Sequence, residues 1–272
     1  MALSNRITRI AVAVIAIPIL LFAAIYGKVA FLIFALFVGG GAFYEFASML
    51  KNKDVEIPLS LGEAFVFLII LNAYFQFVAF EVIVILVPIF ISVYELFAGK
   101  KSVTFNAGAT LLGIFYVGLF SSLLVKIREF FPEEIVYARG GAIIIAVFIT
   151  IWLCDSAAYF LGTAFGKHKL FPRVSPKKSW EGAIAGFLFS VLGMIVMREF
   201  FLTFMGFAEA IFFGAMVGVV GQVGDLIESM IKRDAGVKDS SSIIPGHGGI
   251  FDRFDSLLFS APFVYLFLVF LY

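Results

Sequence analysis

The chain has 272 residues, of which 62% are hydrophobic and only 14% charged, and a formal net charge of +1. Soluble domains carry about 25% charged residues, so this balance excludes a soluble globular protein. Repeated apolar runs of bilayer-crossing length make it an all-α polytopic integral membrane protein for which no nucleic-acid partner is expected.

In chain order, nine spans are predicted at 7–26, 29–50, 58–76, 81–98, 106–126, 141–165, 181–201, 207–232 and 251–271. They are expected as helices, because only bonds within the segment satisfy the backbone in lipid, and a barrel would show short alternating strands. The first run, behind Arg6 and Arg9, resembles a signal peptide in outline but flows straight into the second span. Only "FQFVAF" separates the third and fourth. The single cysteine, Cys154, excludes an intramolecular disulfide and reads as a small core residue. The chain is read as one membrane-embedded domain over 1–272, with N-terminal spans in 1–140 and catalytic spans in 141–272.

Lys and Arg set the orientation. Fifteen fall on the side of the N-terminus and of the loops near 51–57, 99–105, 167–180 and 233–250, among them Arg6, Arg9, Lys100 and Lys101. Lys28, Lys126, Arg128, Arg139 and Arg198 fall on the other. The N-terminus is therefore expected in the cytoplasm and the C-terminus outside. The two long polar loops, 167–180 and 233–250, then face the cytoplasm.

The chemistry gathers at that face. In "GQVGDLIESMIKR", Asp225, Glu228, Ser229 and Lys232 form one stripe along a helix. A carboxylate inside a span costs several kcal/mol unless paired, metal-bound or facing water. A salt bridge from Asp225 to Lys232 or Arg233 is the structural alternative. The last span opens "FDRFDS", with Asp252 and Asp255 on one face; acids there also stabilise a helix N-terminus. Oxygen ligands of this kind suit Mg²⁺, which takes one or two carboxylates and leaves room for phosphate oxygens.

Between these acids lies "IIPGHGGIF". Its glycines let the backbone approach a ligand, and such a turn at a helix N-terminus favours phosphate. His247 is a candidate phosphate donor or acid–base group. Lys232, Arg233, Lys238 and Arg253 add cations, which together with the acids are the parts of a phosphoryl or nucleotidyl transfer site. Asp155, in "WLCDSAAYFLG", is the deepest acid and a candidate pocket floor or metal ligand, or else a buried acid bonded to Ser or Tyr. The loop "KHKLFPRVSPKKSWEG" sets basic residues beside Trp180, fit to hold a triphosphate and stack a base, or to anchor the next span. Glu45, Glu63, Glu95 and Glu209 are assigned no role.

The run Ser229, Lys232-Arg233, Lys238-Asp239, Ser241, Pro245, His247-Gly248-Gly249, Asp252-Arg253 and Asp255 resembles in full the signature of the CDP-diacylglycerol synthase, or phosphatidate cytidylyltransferase, family. "CDSAAYFLG" and "SPKKSWEG" are similar to that family too, so the likeness covers at least 154–256. It implies that CTP and phosphatidic acid give CDP-diacylglycerol and pyrophosphate with Mg²⁺, with a second metal ion possible, in a homodimer of the bacterial inner membrane. Carried across, Asp225, Asp252 and Asp255 would hold metal, and Asp155, from its place inside a span, is a further candidate ligand. Lys232, Arg233, Lys238, Asp239, His247, Arg253, Ser229 and the Gly248-Gly249 backbone would form the catalytic and phosphate-binding set. Ser175, Lys177, Lys178, Trp180 and Glu181 match the second cytoplasmic motif, for which nucleotide binding is expected.

Two other membrane classes fit less well. A CDP-alcohol phosphotransferase would carry a D-G-x-x-A-R pattern absent from this chain. An ion-coupled transporter using Asp155 and Asp225 would need polar groups through the whole membrane depth, whereas here they crowd one side.

Overall fold

Hydrocarbon offers the backbone no partners, so each long apolar run closes its own hydrogen-bond ladder as a helix. A computed structural model describes residues 2–98 and 102–272, without the side chains of residues 2–7 and Arg9. Lys100, Lys101 and the side chains of Arg6 and Arg9, all counted in the charge tally, thus lie outside the described residues. The helices are α1 (Ala2–Tyr26), α2 (Lys28–Leu50), α3 (Leu59–Phe75), α4 (Phe80–Ala98), α5 (Val103–Gly113), α6 (Phe120–Arg128), α7 (Ala138–Phe165), α8 (Trp180–Phe200), α9 (Phe207–Asp234) and α10 (Phe251–Leu271). A π-helical turn, Ile114–Leu119, joins α5 to α6 into one span. Among the described residues seven helical segments are long and apolar enough to cross a bilayer, while the apolar stretches Ile10–Tyr26 and Leu59–Phe75 are shorter.

The chain forms two compact units. The first comprises residues 1–23, 28–126 and 234–254. Its core is aromatic and aliphatic, with Phe31, Phe43, Phe46, Val66, Ile70 and Ile91 all buried. Small residues let its helices close up, as in membrane bundles generally: Gly62 lies against the Phe43 ring and Gly113 against Phe46. The short α3–α4 connection is fixed by Asn72, whose side chain donates to Val78 O (3.0 Å) and accepts from Val78 N–H (3.1 Å). Phe251, fully buried at the start of α10, meets Phe46 and Tyr116 edge-on, with ring centroids at 6.4 and 6.0 Å. Tyr116 belongs to the π turn, so that local change of pitch supports the head of α10.

The second unit comprises residues 24–27, 127–233 and 255–272. Here α7 and α8 pack at near-backbone contact: a Cβ on Gly182 would come within 2.7 Å of Ala158 O, and one on Gly186 within 2.8 Å of Cys154 O. Cys154 is 3% exposed, and its thiol donates to Gly218 O of α9 at 3.6 Å. The segment 167–180, expected as a loop, is instead an antiparallel hairpin, β1 (Lys169–Phe171) and β2 (Ser175–Ser179). Its anchors are Val174, buried beside the exposed Arg173, and Ser179, whose hydroxyl accepts the Gly182 N–H (3.2 Å) as the N-cap of α8. Polar residues can form these strands because the anchor positions, and not average hydropathy, carry them.

Arg128 is the largest fully buried side chain among the described residues. Its guanidinium donates from Nε to Ala24 O (2.5 Å), from Nη2 to Ile25 O (2.8 Å) and from Nη1 to Tyr137 O (3.4 Å), and it stacks 4.3 Å from the Tyr137 ring centroid. Two of those acceptors are terminal carbonyls of α1, which lack intrahelical partners. Gly27, with φ +68°, and Gly140 leave the room: any Cβ at either would overlap Arg128.

Candidate active site

In the second unit, the stripe on α9 is built from acids already paired with cations. Asp225 Oδ2 lies 2.6 Å from Lys178 Nζ of β2, and Asp225 Oδ1 accepts the Ser229 hydroxyl at 3.2 Å. The expected structural partners of Asp225, Lys232 and Arg233, are engaged elsewhere. Lys232 Nζ lies 2.6 Å from the fully buried Glu228, one helical turn back, and Arg233 Nε donates to Val174 O of the hairpin at 3.3 Å. The hairpin thus delivers the lysine of one motif to the carboxylate of another, 47 residues on.

Asp255, in the first turns of α10, accepts the Ser256 N–H, and the charges around it are Asp225, Asp155 and Lys232. Asp155 shares this cluster but is exposed, as are Ser156 and Tyr159. It is therefore not a buried acid. Ser175 and Lys178 are partly buried, Lys177 and Trp180 exposed. Glu181 faces His168, accepting from its backbone N–H and lying 2.6 Å from its Nδ1.

In the first unit, the glycine turn between α9 and α10 is organised from within. Gly246 and Gly248 have φ of +75° and +85°, the left-handed region that only glycine occupies freely. Ile244 N–H to Gly248 O and His247 N–H to Ile244 O, both 2.9 Å, close the turn. Asp252 Oδ2 accepts from Ser240 N–H (3.0 Å), the Ser240 hydroxyl (2.9 Å) and Gly249 N–H (2.8 Å). Arg253 Nε donates to His247 O (2.7 Å), leaving Lys238 and Asp239 exposed at the turn's edge. His247 Nδ1 is buried with no hydrogen-bond partner among the described residues.

One residue that the sequence left without a role stands at the centre of this turn. Glu45 of α2, fully buried, accepts on Oε1 from the Ser241 hydroxyl (2.6 Å) and Ile250 N–H (2.9 Å). On Oε2 it accepts from Phe251 N–H (2.8 Å) and shares with Asp252 the single proton of the Ser240 hydroxyl, 2.8 Å away. The N-terminus of α10, expected to favour phosphate, thus faces a carboxylate of the protein itself. Ser240, which links Glu45 to Asp252, was also missed. An ionisable residue inside an apolar span is a functional candidate by default, and that rule was the available signal for Glu45.

The donor set agrees with Mg²⁺ in chemistry, being carboxylate oxygen throughout. Among the described residues no three His, Cys, Asp or Glu side chains form a ready-made metal cage. Mg²⁺ needs none, since one or two carboxylates with substrate phosphates and waters complete its shell. Asp225 and Asp255 fit that requirement.

With this geometry in view, comparison with known proteins is informative. The Cytidylyltransferase family pattern matches residues 7–271. A phosphatidate cytidylyltransferase of Bacillus subtilis is 32% identical over 268 residues, covering 96% of each chain. One of Brucella suis is 32% identical over 267 residues, covering 97% of this chain and 94% of its own. One of Haemophilus influenzae reaches 47% over 129 residues, 46% of this chain and 45% of its own. Similarity over nearly the whole length, and not only over the charged motif, means that the chain belongs to the phosphatidate cytidylyltransferase family.

Proposed function

We propose that the protein joins CTP to phosphatidic acid, giving CDP-diacylglycerol and pyrophosphate at the cytoplasmic face of a bacterial inner membrane. A nonbridging oxygen of the lipid phosphate forms a bond to the CTP α-phosphorus. The bond from that phosphorus to the bridging oxygen breaks, and pyrophosphate leaves with the electron pair. The attacking monoester, with a second pKa near 6, is largely dianionic at neutral pH, so little general base is required. The barrier is anion meeting anion, and its reduction is a matter of positioning and charge.

The observation that carries this reading is the Lys178–Asp225 contact, because it brings the "SPKKSWEG" motif to the acidic stripe of α9. Lys178 and Lys232 are each held by an acid in the second unit, and they are the cations to receive phosphate oxygens there. Asp225 and Asp255 would hold Mg²⁺, which would neutralise phosphate charge, and Asp252 is the acid of the glycine turn proposed for the same role. Asp155, exposed and close to Asp255, suits a second ion. In the turn, His247 offers a buried nitrogen in want of a partner, and Lys238 and Arg253 add exposed cations for phosphate. Trp180, 55% exposed, offers a face for a base. The N-terminus lies in the cytoplasm and the C-terminus outside, with two copies of the chain forming a homodimer.

The test is pyrophosphate release from CTP by purified protein in detergent–lipid micelles, with and without phosphatidic acid and with Mg²⁺ or EDTA. Release is expected only with lipid and metal together, with CDP-diacylglycerol appearing in equal amount. Lipid-independent release, or none from folded protein, overturns the assignment.

A further inference from the structure

We infer that Glu45 is a positioning residue of the transfer reaction, acting from α2 through Ser240 on Asp252 and the glycine turn. The inference rests on the reading of the site as a nucleotidyl transfer centre and adds to it a residue outside the charged motifs.

The argument is one of donor counting. Each oxygen of the Glu45 carboxylate faces one serine hydroxyl and one backbone N–H. Hydroxyls can turn round and accept, but backbone N–H groups cannot. A glutamine at position 45 has one acceptor oxygen, so in either orientation its NH2 meets Ile250 N–H or Phe251 N–H head-on. A carboxylate satisfies the pattern, and its burial is tolerable because two N–H groups, the Ser241 hydroxyl, the Ser240 hydroxyl it shares with Asp252 and the positive end of α10 surround it. The effect passes on to Asp252, since the hydroxyl of Ser240 lies 2.8 Å from Glu45 Oε2 and 2.9 Å from Asp252 Oδ2. Close packing enforces the arrangement, because a Cβ on Gly249 would overlap both Ser240 Oγ and the Glu45 carboxylate. A residue 195 positions before Ser240 in the chain therefore fixes where Asp252 sits.

Glu45 also removes an alternative from the chemistry. With its carboxylate on the first N–H groups of α10, and with Gly249 N–H on Asp252, those donors are spent within the protein. Substrate phosphate cannot draw on those N–H groups.

The experiment compares wild type with Glu45→Gln, Glu45→Asp and Ser240→Ala, measuring kcat and KM for both substrates together with the thermal midpoint in detergent. Activity is expressed per folded protein. Glu45→Gln should lower kcat about 100-fold, the loss typical of a misplacement near 1 Å, with both KM values changed only a few-fold. Glu45→Asp should regain part of that loss. The Glu45→Gln/Ser240→Ala double variant should be little worse than Glu45→Gln alone, because both act through one network. Folded Glu45→Gln with kcat within about threefold of wild type, or losses that add up fully in the double variant, would overturn the inference. If Glu45→Gln does not fold, Ser240→Ala decides, a drop of about tenfold or more in kcat being expected and unchanged kcat being fatal. Inactive wild type would instead strike the proposed function itself.

Discussion

Lys178→Met is expected to lower kcat/KM by about 10²–10³-fold, the usual cost of removing one preorganised charge from a transfer site. Its thermal midpoint should hardly move. The side chains of Lys178 and Asp225 are 29% and 31% exposed, and ion pairs of that exposure contribute at most about 1 kcal/mol to stability. Asp225→Asn should behave alike, and the double variant should be no more active than either single one. That contrast separates function from architecture. A purely structural pair would lose stability with each single change and recover when both charges are gone. Full activity of Lys178→Met/Asp225→Asn, measured by pyrophosphate release, would sink the reading of this contact as part of the site.

The opposite signature is expected at Arg128. Changing it to Met keeps most of the volume but removes the donors to Ala24 O, Ile25 O and Tyr137 O, leaving these carbonyls unpaired in a buried place. The expected loss is about 3–5 kcal/mol of stability, read as a lower thermal midpoint, with near-normal kcat in whatever remains folded. Arg128→Lys should recover little, because a single ammonium cannot reproduce a planar fork aimed at three carbonyls. A midpoint unchanged in Arg128→Met would mean that water takes over those carbonyls and that Arg128 is no staple.

Much of the helical layout was legible because a run of some twenty apolar residues in lipid has few other solutions. The span expected at 251–271 coincides with α10, and that at 141–165 begins three residues early in α7. The motif residues were legible as well, since acids and bases concentrated in a greasy chain stand out. What escaped was anything set by partners distant in sequence. Glu45 looks like a lone acid near a helix end until Ser240 and Phe251 come to meet it. Arg128 counts as a surface charge until α1 ends beside it. The π turn at Ile114–Leu119 leaves no mark in composition, and the hairpin at Lys169–Ser179 is too polar to announce itself as strands.

The placement of Cys154 has a practical consequence for sidedness. Its thiol is sealed within α7 against Gly218, so the natural chain should be silent toward membrane-impermeant maleimides. One introduced cysteine at a time then becomes a reporter, with the natural thiol left in place. Ile135, 96% exposed between α6 and α7, and Lys169, exposed on the hairpin, are suitable positions. In sealed right-side-out vesicles Ile135→Cys should label at once and Lys169→Cys only after permeabilisation. The reverse pattern would turn the protein over in the membrane.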